Sequence, residues 1–175
     1  MQENLVQQRH WDHGYKNIEF KKYNEKDPIA SLICDYVSID KNKSVFEIGC
    51  FPGTYLSVFG EMGYKLNGID LTQGVKSDLP SWLKKEGFKC GDFFCDDFLE
   101  ADINKKFEIV CSFGFIEHFT DIEDVILKHT ALLESEGYLI LTTPNFTGFV
   151  QYFLHLLVDR KNLKLHNLNI MDPFL

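Results

Sequence analysis

The stretch SVFEIGCFPGTYLSVF, residues 44–59, decides the fold. It begins as a run of β-branched and aromatic residues, passes through Gly-Cys-Phe-Pro-Gly, and continues in a helical pattern, so a buried strand meets a helix at a bend with two glycines. Gly49 and Gly53 let the backbone turn tightly and approach a ligand there. The amides that open the following helix face the same point with partial positive charge, which makes the bend a place to hold a nucleotide-like molecule.

Outward from this bend the chain keeps a strand and helix rhythm. On the N-terminal side, DPIASLICDYV predicts a helix capped by Asp27, with Pro28 in the first turn where its missing N–H costs nothing. After the bend come a helix ending at Gly63, a strand over YKLNGID, a broken helix over SDLPSWLKKEG, a strand over FKCGDFF and a short helical turn over DDFLEADI. A fourth strand, FEIVCSFG, precedes a helix opened by a Thr120 and Glu123 capping box, running through Leu133 and closed at Gly137, and YLILTTP is the fifth strand. Parallel neighbours need crossovers, so alternation at this spacing predicts an α/β fold: a doubly wound, Rossmann-like parallel sheet with helices on both faces.

At 175 residues the chain is long enough for one domain with a proper core. Its formal charge of −8 repels phosphate backbones, and its lysines are not interleaved with aromatics, so a nucleic-acid substrate is disfavoured and none is expected. The five cysteines are odd in number and form no CxxC pair, which fits thiols in a reducing cytoplasm. The start of the chain lacks the layout of a secretory signal, and the longest apolar helix candidate, residues 149–158, is far shorter than the roughly 20 residues of a membrane span. A cytoplasmic protein without a membrane partner is expected.

A dinucleotide fingerprint requires glycine at three positions, which here read Gly49, Phe51 and Thr54, so two of the three fail. A cofactor without a diphosphate meets no such objection. The segment resembles instead the first motif of the class I S-adenosylmethionine-dependent methyltransferases, an acidic residue followed by alternating glycines, seen as Glu47, Gly49 and Gly53 with Phe51 departing from the pattern. GDFF, SFGFIEHF and GYLILTTPNF follow in the family's order, so the resemblance spans residues 44–146.

The resemblance implies S-adenosyl-L-methionine as cofactor, S-adenosyl-L-homocysteine as product, and a sheet of order 3-2-1-4-5. It places Glu47, Gly49, Cys50 and Gly53 along the cofactor, and Asp70, with Leu71 beside it, on the ribose hydroxyls. Asp92 goes to the adenine amino group, Phe93 to the ring, and Ser112 and Phe113 beside the donor. HWDHGY is similar to an element that precedes many of these domains, in which the tyrosine, here Tyr15, touches the ligand. Trp11 and Tyr15 at i, i+4 also form an apolar stripe that can dock on the core instead.

A sulfonium methyl is already electrophilic, so transfer needs an in-line nucleophile and, for a hydroxyl, a destination for its proton. Glu117 and His118, just past the fourth strand, are the candidate catalytic residues, His118 as the base. Each also has a local reading: Glu117 as a cap or ion-pair partner, His118 packed on Phe119. No metal is expected, and His10 and His13, with no third ligand nearby, read as polar surface. Residues 1–26 are expected as an arm or lid, 27–146 as the cofactor-binding core, and 147–175 as a C-terminal helix and tail cut short of the family's last two strands. The expected activity is methyl transfer to an oxygen or nitrogen of a small-molecule acceptor, and a homodimer is compatible with it. The alternatives are a methyltransferase-fold protein that only binds a partner through the 149–158 helix, and a nicotinamide-dependent reductase.

Overall fold

A computed structural model describes residues 5–6, 14–15, 18–145 and 165–171. Helix α1 (Pro28–Tyr36) starts as its sequence dictates: Asp27 Oδ1 accepts from the amides of Ile29 at 2.8 Å and Ala30 at 3.1 Å. Five strands follow, β1 (Ser44–Ile48), β2 (Lys65–Asp70), β3 (Cys90–Cys95), β4 (Phe107–Phe113) and β5 (Leu133–Thr142). Every neighbouring pair is parallel, and the order across the sheet is β3-β2-β1-β4-β5, as expected. Helix α2 (Thr54–Glu61) joins β1 to β2, α3 (Gly74–Lys85) joins β2 to β3, and α4 (Ile122–Ala131) joins β4 to β5.

β1 is central, and its period-two alternation feeds two cores. Val45 packs with Ile33, Leu56, Leu79, Leu83 and Ile109 on one face. Phe46 and Ile48 pack with Phe107, Val110 and Val125 on the other. Covering both faces is what a parallel sheet requires and why β1 carries an almost unbroken apolar run. The register holds Ile48 between Ile69 and Ser112, so the carboxyl ends of β2, β1 and β4 finish at one level.

Gly53 takes φ +90° at the N-cap of α2, and a Cβ there would come within 2.4 Å of Leu79 Cδ1. Left-handed backbone and a crowded helix interface coincide, so Gly53→Ala is expected to lower unfolding stability by about 2 kcal/mol. Urea unfolding checks this, and an unchanged midpoint would show that the turn relaxes without cost.

Three local expectations are corrected. α3 is not broken but runs through Pro80, because Val75, Leu79, Pro80 and Leu83 are all buried and packing outweighs the lost backbone bond. α4 is not opened by a Thr120 capping box: Asp121 occupies the N-cap without a side-chain capping bond, while Glu123 and Asp124 complement the dipole in the first turn. That helix ends at Ala131, and β5 starts at Leu133 through an irregularity in which Phe107 pairs with Leu133 but Ile109 with Tyr138, with Glu136 at φ 65°. Among the described residues no helix is long and apolar enough to cross a membrane. The helix expected over 149–158 and the element around Trp11 lie outside the described residues.

Candidate functional site

Beyond the carboxyl ends of the strands lies a cleft. Its described walls are Ile48 and Gly49 after β1, Ile69, Asp70 and Leu71 after β2, Asp96, Asp97 and Phe98 after β3, Phe115, His118 and Phe119 after β4, and Tyr15 from the arm. Gly49, at φ +70°, lets Phe115 lie against the floor, where a Cβ would sit 3.0 Å from its Cδ2. Asp70 is held by backbone amides: Oδ2 accepts from Phe51 N–H at 3.1 Å and Oδ1 from Thr72 N–H at 2.8 Å. Two such bonds fix the orientation of the carboxylate. Burial, and then the neighbouring Asp70, push the Tyr15 hydroxyl well above its ordinary pKa, so it is a neutral phenol on the cleft wall.

Tyr15, Gly49, Asp70, Leu71 and His118 are thus brought together as expected, and the other expected residues do not line this cleft. Their side chains or backbone are taken up elsewhere, by core packing or by other partners. Phe51 turns its ring away, edge-on to Tyr15 at 5.1 Å and Phe20 at 5.5 Å. Cys50 is buried beneath Gly68, and its N–H bonds Ile69 O at 3.2 Å. Gly53 faces Leu79 and Trp82. Glu47 is buried in β1, its carboxyl raised well above the usual range by burial and then by Asp70.

Asp92 is the third residue of β3, not its end. It pairs with Lys105, and its own amide donates to Asn67 Oδ1 at 2.9 Å. Phe93 packs against the β1 core. Ser112 meets His129, whose Nδ1–H donates to Val125 O at 2.7 Å, so that Nε2 accepts from Ser112 Oγ at 3.1 Å. Burial lowers the His129 pKa to about 4. Phe113 packs on Tyr55, with ring centroids 4.5 Å apart.

Sequence reading missed Asp96, Asp97 and Phe98 because the resemblance at GDFF directed it to Asp92, inside the strand; β3 runs to Cys95, and the acids just behind it are the ones at the cleft. It also passed over Phe115 and Phe119, whose i, i+4 spacing was the available signal and whose rings lie 5.0 Å apart. Glu117 sits on a short 3₁₀ turn (Ile116–His118), fully buried and behind the wall, and burial raises its carboxyl to about 7.

A family model described as a methyltransferase domain matches residues 21–171. The chain belongs to this methyltransferase-domain family. A malonyl-[acyl-carrier protein] O-methyltransferase of Acetivibrio thermocellus is 23% identical over 91% of this chain and 56% of its own length. A ubiquinone biosynthesis O-methyltransferase of Thiobacillus denitrificans is 26% identical over 78% of this chain and 58% of its own. The chain therefore spans little more than half the length of these curated relatives. Among solved structures, a putative methyltransferase from Bacillus halodurans superposes with TM-score 0.62 at 16% identity, covering 78% of this chain and 61% of that one. A methyltransferase from Thiobacillus denitrificans in complex with S-adenosyl-L-homocysteine superposes with TM-score 0.61 at 16% identity, covering 76% and 54%. These likenesses are of fold, and they bear out the class I resemblance and the doubly wound sheet. In this methyltransferase domain the cleft lies where strand order reverses between β1 and β4, the crevice in which open α/β sheets bind ligands.

Proposed function

We propose that the methyltransferase domain binds S-adenosyl-L-methionine in this cleft and transfers its methyl group to an oxygen of a small-molecule acceptor. The charge of the cleft carries the reading. Asp70, Asp96 and Asp97 line it, and the described lining contains no lysine or arginine. Such walls repel a diphosphate and suit a cofactor whose sulfonium and ammonium outweigh its one carboxylate. When bound, the cofactor supplies an electrophilic methyl, so the protein's work is mainly placement.

Asp70 accepts from the ribose hydroxyls, Phe98 offers an aromatic face to the adenine, and Asp96 or Asp97 takes its amino group, replacing Asp92 in that role. Tyr15 covers the cleft from the arm, as a lid element over the core. His118 is the polar side chain on the wall shared with Phe115 and Phe119, where the acceptor enters. Oxygen is favoured as the receiving atom because the curated relatives are named O-methyltransferases.

Calorimetric titration with S-adenosylhomocysteine and, separately, with NADH tests the reading. Heat with the first alone supports it; heat with NADH alone, or with neither, overturns it. Phe98→Ala is expected to weaken S-adenosylhomocysteine about tenfold by loss of stacking. His118→Ala is expected to keep cofactor affinity and lose turnover with labelled methyl donor, and full turnover would remove His118 from the acceptor wall.

A further inference from the structure

Behind the acceptor wall, two distant segments are tied together in a way that cofactor binding does not require. The Asn167 amide donates to Glu117 O at 2.7 Å, and its side chain donates to Phe119 O at 3.1 Å. His118 Nδ1–H donates to Leu165 O at 2.8 Å across 47 residues of sequence. This contact brings the His166 ring to 4.8 Å from the His118 ring, centroid to centroid. Beside them is Glu117, only 1% exposed, whose Oε2 finds no hydrogen-bond partner among the described residues. A carboxylate oxygen buried without a donor carries a large desolvation cost that a cation would offset.

One ligand atom from each of Glu117, His118 and His166 lies within 4.8 Å of the other two. We propose that these three residues form a binding site for a divalent transition-metal ion, with Zn²⁺ the best-matched common metal. Two imidazoles and a carboxylate are a nitrogen-rich donor set suited to zinc, whereas Mg²⁺ and Ca²⁺ demand oxygen. Zinc holds such ligands at about 2.0–2.2 Å, which brings the donor atoms to about 3.4 Å from one another, so binding draws the three inward. The bond from His118 Nδ1–H to the Leu165 carbonyl is the outer-shell contact a ligating histidine needs, since it fixes the proton on Nδ1 and the lone pair on Nε2. Three protein ligands leave a fourth position for water or substrate. Because His118 also lines the cleft, an ion here stands beside the acceptor wall, where it can act as a Lewis acid on an acceptor oxygen.

Only the Lewis-acid role rests on the methyl-transfer reading; ion binding itself does not, and its test uses no methyl donor. The full chain, stripped with chelator and kept reduced, is titrated with Zn²⁺ by calorimetry and with Co²⁺ by visible spectroscopy. One ion per chain is expected, with cobalt d–d bands of a nitrogen and oxygen site. His166→Ala and Glu117→Gln are each expected to weaken binding at least about tenfold. The proposal is overturned if the wild type takes up no ion or if neither variant changes the affinity. A thiolate-to-cobalt charge-transfer band also overturns it, by placing the ion on cysteine. Glu117→Gln preserves shape, so it and the wild-type spectrum decide the matter should His166→Ala fail to fold.

Discussion

Asp70→Ala is expected to raise the dissociation constant for S-adenosylhomocysteine about a hundredfold. Asp70 ends β2 on the cleft, and its carboxylate is oriented in advance by the amides of Phe51 and Thr72; in the proposed cofactor site it would meet two ribose hydroxyls with little further ordering cost. Hydrogen bonds to a charged group contribute about 1.5–3 kcal/mol each, and losing two of them, partly replaced by water, leaves a deficit near a hundredfold. The same substitution frees the Phe51 and Thr72 amides, so a thermal melt of the variant is needed beside the calorimetry. Asp70→Asn, which keeps the shape and removes the charge, should fall between the two. An affinity equal to wild type would remove Asp70 from the cofactor site.

His129 makes the second large contribution, to stability. It lies on α4, fully buried against Ser112 of β4 with the Phe98 ring at 4.8 Å, and its pKa falls from 6.5 to about 4 on folding. The folded state refuses a proton that the unfolded chain accepts, so this residue's contribution is complete above pH 6.5 and is lost as pH falls toward 4. The loss amounts to about 3 kcal/mol. Glu47 and Glu117, whose carboxyls are raised by burial, run the opposite way and lose stability as pH rises. The wild-type profile mixes these slopes, so urea unfolding is compared between wild type and His129→Gln from pH 7 to pH 4. The two profiles should converge by about 3 kcal/mol toward the acid end; parallel profiles would mean that His129 is not buried neutral. The effect reaches the cleft because Phe98 and Phe115, both on its wall, flank the same ring.

The Gly49 to Gly53 bend was legible in sequence because strand, turn and helix signals sit within one short window. So was Asp27 as a cap, since its bonds reach only two and three residues ahead. The cleft wall was legible where a motif marks a strand's end, at Gly49, Asp70, Leu71 and His118. It was misread after β3, where the GDFF motif pointed to Asp92 inside the strand, whereas Asp96 and Asp97, just past its end at Cys95, are the acids that line the cleft. Ser112 and Phe113 lie near the end of β4, yet their side chains are taken up by His129 and Tyr55.

By itself the sequence determined the order of elements, the parallel sheet and the site's place at the strand ends, because those follow from periodicity and from crossovers that parallel strands must make. Only the tertiary structure decided which residues face the cleft and which face the core, since that depends on register and on where each strand stops. It alone brought His166 to Glu117 and His118, because no local rule links residues so far apart along the chain; packing of 165–171 against the turn after β4 does.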